Sequence, residues 1–244
     1  MMNKISKTIL SVVVFFAFGK AQAQEQPQWQ PVDDAAIRAA VFDPASPFYY
    51  PPLMARYIRG DAALTLDDYR HLYYGFAMTD DYRPLDPIAG ETELLTILER
   101  VGTGPTPEDA EKLLRHAREV MQRDPFSPSV INFMTFAYGI LGDVEEEHAS
   151  AARLAGVLGA IGSSGDGLRE QSAWHVTFFT HVNDFLAARG LLARDRRVVS
   201  RAVEYVTLAE PDGRNRGYYF DFSRIYVRPP TEIPERPRGL RPRL

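Results

Sequence analysis

No cysteine occurs anywhere in the 244 residues. That absence excludes disulfides, cysteine-ligated zinc, thiol catalysis and a lipidated cysteine at a processing site. Lysine is nearly as scarce: Lys4, Lys7 and Lys20 fall in the first 23 residues, and Lys112 is the one other. Removing residues 1–23, which carry three lysines and no acid, takes the formal charge from −4 to −7. A mildly acidic chain is a poor nucleic-acid binder, so no nucleic-acid partner is expected. Histidines at metal-clamp spacing are missing too. His175 and His181 stand six apart, which is about 20 Å on a strand and different faces on a helix. His148, beside three glutamates, has no second histidine one turn away. Neither a metal nor a cofactor is expected.

Long apolar runs are also lacking, with one short exception. Ile9 to Phe18 is apolar, follows Lys4 and Lys7, and precedes Ala21-Gln22-Ala23. A basic segment, an apolar segment and a small-x-small site make a secretory signal. The run is shorter than the roughly 20 residues that span a bilayer. The expectation is cleavage after Ala23, a flexible leader over 24–32, export to the periplasm or beyond, and no permanent membrane anchor afterwards.

What is present supports a folded globule: aromatic residues make up 11% of the chain and apolar residues 45%. The pattern predicts an α+β domain over 33–227. Its N-terminal half, 33–161, is helical, and it packs on a small antiparallel C-terminal β-sheet, with 173–227 mostly β. Asp33 to Phe42 reads as a short helix and Pro52 to Arg59 as another, ended by Gly60. In LTLDDYRHLYYGF (64–76), Thr65 is the N-cap and Asp68 completes a capping box. Leu66, Tyr69, Leu72, Tyr73 and Phe76 recur at helical spacing as a buried stripe. Further helices are predicted over 91–101 and from Thr106-Pro107 to about Arg123. The stretch 124–143, DPFSPSVINFMTFAYGILGD, resembles a tetratricopeptide first helix with its flanks, and Val144 to Ile161 its second.

Beyond GSSGDGL (162–168) the period changes. Residues 173–182, 202–208 and 216–227 read as strands, the last alternating over Tyr218, Phe220 and Phe222. Asp212-Gly213 joins the final two as a hairpin. Residues 183–195 read as a short helix or loop. The Pro- and Arg-rich tail, 228–244, is expected to be disordered.

Three motifs in order, LTLDDYRHLYYGF, SSGDGL with SAWHV, and GYYFDFSRIY, resemble the domain of unknown function 4919 family over roughly residues 35 to 226. The resemblance implies an exported, partly tetratricopeptide-like protein of Gram-negative bacteria, with no established activity, cofactor or partner. It carries over no catalytic residue.

Candidate site residues come from the side-chain chemistry. Asp67, Arg70, His71 and Tyr74 lie three and four apart on one helix, where an aspartate one turn before a histidine can hold its tautomer. The competing structural reading is a solvated face, or a polar seam buried against the C-terminal sheet. Asp166, between two glycines, suits an anion-binding or calcium turn, or simply a tight turn closed on its own backbone. His175 adds an imidazole, and Tyr219, Asp221 and Arg224 a polar-aromatic cluster suited to peptide or glycan recognition. These residues point to a non-enzymatic, exported binding or assembly module for a peptide, protein or envelope component. The alternative is a hydrolase-like or transferase-like enzyme drawing acid and base from His71, Asp166 and His175.

Overall fold

The computed structural model describes residues 29–90, 92–94, 96–97 and 104–227. The signal segment, most of the leader, the basic tail and much of the 91–101 helix lie outside the described residues. The helices are α1 (Asp34–Phe42), α2 (Tyr50–Ile58), α3 (Leu66–Phe76), α4 (Pro107–Met121), α5 (Pro128–Leu141), α6 (Val144–Gly162) and α7 (Thr180–Ala187). The strands are β1 (Trp174–His175), β2 (Ala193–Val198), β3 (Val203–Asp212) and β4 (Asn215–Asp221).

Local chemistry sets most helix ends. Thr65 and Thr106 each open a helix with a complete capping box, reciprocated by Asp68 and Asp109. Gly142, at φ 71°, ends α5 in the left-handed conformation. Its N–H donates to the Gly139 carbonyl while Asp143 N–H reaches back to Tyr138, a Schellman pair. Asp143 then caps α6, so α5 and α6 form a tight helical hairpin.

The fold is α+β, as expected, but the sheet is mixed rather than antiparallel. Strand order is β1-β4-β3-β2, with β1 parallel to β4 and the other two pairings antiparallel. The parallel pairing is open to β1 because a helix and two strands intervene before β4; a hairpin neighbour has no such freedom. Residues 173–182 are not one long strand. Pairing stops at His175, and Thr180 begins α7, whose His181, Val182, Phe185 and Leu186 are buried on one side. A strand over 193–198 was not expected at all; it forms the exposed edge. The 212–213 hairpin is as expected, with Asp212 opposite Asn215 and Gly213 at φ 60°.

One core joins the two halves. Leu72, Tyr73, Val157 and Ile161 from the helices meet Trp174, Phe185, Phe220 and Phe222 from the sheet side. A second cluster lies between α4 and α5, around Leu113, Ala117, Met134 and Ala137. Helix α3 packs against α1, α2 and α6 together. That central position explains its five rings: Tyr69, Tyr73, Tyr74 and Phe76 are all buried, and His71 is half-buried. Leu66, expected in the stripe, is exposed instead.

Candidate functional site

The polar residues of α3 form a buried seam. Tyr74 is 0% exposed and Arg70 4%, so neither is part of a solvated face. Arg70 donates to Ser163 Oγ at 2.6 Å and to the carbonyls of Gln30 and Pro31 at 3.0 and 3.1 Å. Tyr74 donates its hydroxyl to the Ala160 carbonyl at 3.0 Å, beside Ser164. Burial raises the Tyr74 pKa and keeps the phenol neutral. Backbone carbonyls, distant in sequence, satisfy both side chains.

The other two residues of that helical patch go elsewhere. His71 lies stacked on Phe48, ring centroids 3.7 Å apart. Its Nδ1 is 2.7 Å from the Asp67 carbonyl oxygen, which accepts, so Nδ1 carries the proton. The backbone of Asp67, not its exposed carboxylate, therefore orients the ring.

At the far side of the seam, His175, Asp221 and Arg224 converge. Strand register sets His175 opposite Asp221, with Nδ1 3.8 Å from the carboxylate. Arg224 is 6% exposed and lies over the Tyr74 ring at 4.9 Å. It donates to His175 Nδ1 at 2.8 Å and, through Nη2 and Nε, to Asp34 Oδ1 at 2.6 and 3.1 Å. Burial and the adjacent Arg224 guanidinium hold the His175 pKa down at about 4, against the pull of Asp221 and Asp34. The imidazole is neutral at pH 7, its Nδ1 is occupied, and its proton sits on Nε2. Such a group can donate one hydrogen bond, but it has no free lone pair with which to act as a base.

Asp166 and Tyr219 stay outside this convergence. Asp166 Oδ1 accepts from Leu168 N–H at 2.9 Å and from the Ser172 hydroxyl, closing its own turn. Tyr219 stands edge-on to Tyr205 at 4.9 Å on the outer face of the sheet. Tyr74, His175, Asp221 and Arg224 are thus brought together, with Arg70 behind them. His71, Asp166 and His175 each bond a different partner, and among the described residues no bond links any two of the three.

Two features were not anticipated. The first is a wholly buried relay: Tyr73 O–H to His181 Nδ1 at 2.8 Å, then His181 Nε2 to Asp124 Oδ2 at 2.8 Å. It ties α3 to α7 and to the turn before α5. The only sequence trace was Asp124-Pro125, read as a repeat boundary. The second is a groove of about 630 Å3 among α2, α4, α5 and α6, floored by Met54, Met121, Met134, Tyr57, Phe76 and Ile131. Arg118, Asp81 and Glu146 also line it. Tyr57, nearly fully buried, donates its hydroxyl to the carbonyl of Pro125, which also lines the groove, at 2.7 Å. None of the nine candidate residues lines it.

The family described as Domain of unknown function (DUF4919) has a model that matches residues 35–228. The chain belongs to that family. No curated protein and no solved structure matches this DUF4919 chain. Among its described residues, no helix is long and apolar enough to cross a membrane.

Proposed function

We propose that the protein is an exported, non-enzymatic binding module that holds a peptide segment of a protein or envelope component in the methionine-lined groove. The observation that carries this reading is the groove itself: an open, apolar hollow of about 630 Å3 between the helices. Three flexible thioethers can mould to apolar anchors of varied shape, which suits segment recognition better than a fixed small molecule. Both signs of charge at its lining, Asp81 and Glu146 with Arg118 and Arg153, suit a peptide more than a lipid anion. Export is supported by the basic, apolar and small-x-small succession over residues 4–23. The non-enzymatic part is supported by the commitments of Asp166 and His175, each held by the protein's own groups.

The test is calorimetric titration with peptides bearing Leu or Phe anchors, against wild type and Met121→Trp, which fills the groove. Wild type binds and the filled variant binds at least about tenfold more weakly, at unchanged melting temperature. Equal binding by both proteins, or turnover of a hydrolase substrate that is lost in His175→Gln, overturns the reading.

A further inference from the structure

The geometry points to the edge strand β2 as a docking site for an acidic, extended peptide that adds to the sheet as a fifth strand. Among the described residues, sheet order leaves one side of β2 without a neighbouring strand. Residues 194–199 are all exposed. Val199 N–H donates inward to the Val203 carbonyl at 2.9 Å. Backbone groups alternate along an antiparallel ladder, so Arg196 and Val198 turn their N–H and C=O outward, toward the free side. The bulge lies between Ala193 and Asp195, at the start of the strand, and from Asp195 to Val198 the register is regular.

Charge selects the occupant. Between 194 and 201 the chain carries Arg194, Arg196, Arg197 and Arg201 against the single acid Asp195, although the whole chain is net negative at −4. Arg197 lies on the outer face beside Tyr205, 5.9 Å from the ring centroid. Arg196, its neighbour, faces the other way and reaches Asn183 Oδ1 at 3.1 Å. An incoming strand with carboxylates at alternate positions sets them all on one face, where Arg196 meets them, while Arg197 on the other face adds to the same positive field. A second copy of β2 would oppose arginine to arginine, so the charges that suit an acidic strand repel self-pairing. Val199, 39% exposed and on the Arg197 face, offers apolar surface to the β-branched residues on the peptide's other face. Main-chain bonds would supply affinity and the arginines specificity, the division usual in strand addition. No residue of β2 lines the groove, so this inference stands apart from the groove's own function.

The probe is a fluorescein-labelled peptide, Thr-Glu-Val-Glu-Val-Glu-Thr, read by anisotropy beside its counterpart with Lys for each Glu. The acidic peptide binds at least about tenfold tighter than the basic one, and raising salt weakens it. Arg196→Glu combined with Arg197→Glu abolishes that preference. Val198→Pro removes an outward N–H without touching the β2–β3 ladder, and it weakens the acidic peptide about tenfold while the charge is unchanged. In the wild-type protein, amide exchange at Arg196 and Val198 slows on binding. Equal binding of the two peptides overturns the inference. So does an acidic preference that survives Val198→Pro with amide exchange unaltered, since that describes a charged patch and no added strand.

Discussion

Arg224 donates to Nδ1 of His175 across 2.8 Å, and the same guanidinium grips Asp34, 190 positions earlier in the chain. The strand end, the start of α1 and the face of Tyr74 are thereby joined through one cation. Because an imidazole nitrogen must accept in this arrangement, the folded state favours neutral histidine.

A pH dependence follows from that bond. The His175 pKa is about 4 in the folded protein against an ordinary value of 6.5. Between those values the unfolded chain binds more protons than the folded one, so stability rises with pH across the window. The contribution is complete above about 6.5 and is lost as pH falls through about 4, on the order of 3 kcal/mol. Urea unfolding between those pH values shows a shallower slope in His175→Gln than in wild type. In Arg224→Gln the His175 ring signals titrate at a higher pH, because a neighbouring positive charge has gone.

The relay through Tyr73, His181 and Asp124 predicts a stability effect with no surface counterpart. Tyr73→Phe strands His181 Nδ1 and the Thr177 N–H, which donates to the Tyr73 oxygen at 3.2 Å. Two lost partners at a buried site cost about 2–4 kcal/mol by chemical denaturation. His181→Leu leaves the Asp124 carboxylate buried with its Phe126 N–H bond but without its imidazole, and costs about 3–5 kcal/mol. The double variant is less destabilised than the two losses added together, since both break one network.

Two glycines of the α5–α6 hairpin predict opposite outcomes. A methyl group at Gly156 would stand 2.2 Å from the Tyr69 ring, which is buried. Gly156→Ala therefore forces the helices apart and costs about 1–3 kcal/mol. At Gly139 the same methyl group meets the flexible carboxylate end of Glu147 at 3.3 Å, which can move. Gly139→Ala gains about 0.5–1 kcal/mol of helix propensity and leaves the melting temperature equal or higher.

The sequence made the fold legible where local chemistry decides it. Thr65 with Asp68, Thr106 with Asp109, Gly142 and Asp212-Gly213 all mark boundaries that the structure keeps. Strand β2 was illegible because ARDRRV has no apolar alternation; an edge strand exposed on both faces needs none. Helix α7 carried its signal in Val182, Phe185 and Leu186 at helical spacing, and the β-branched and aromatic content around it masked that period. Arg70 and Tyr74 looked like surface residues because the carbonyls that satisfy them, at 30, 31 and 160, are remote in sequence. The Asp34 end of the Arg224 clasp was invisible for the same reason. The groove has no motif whatever: its methionines sit on three helices and converge only on folding.

Those methionines give the most direct test of the binding reading. In a methyl-labelled sample, a Leu- or Phe-anchored peptide is titrated in while the methionine methyl resonances are followed. Met54, Met121 and Met134 line the groove, whereas Met78 packs against the main core outside it. The account predicts saturable shifts at the first three and a stationary Met78. Binding that leaves all three unmoved, or that perturbs the His175 ring instead, contradicts it.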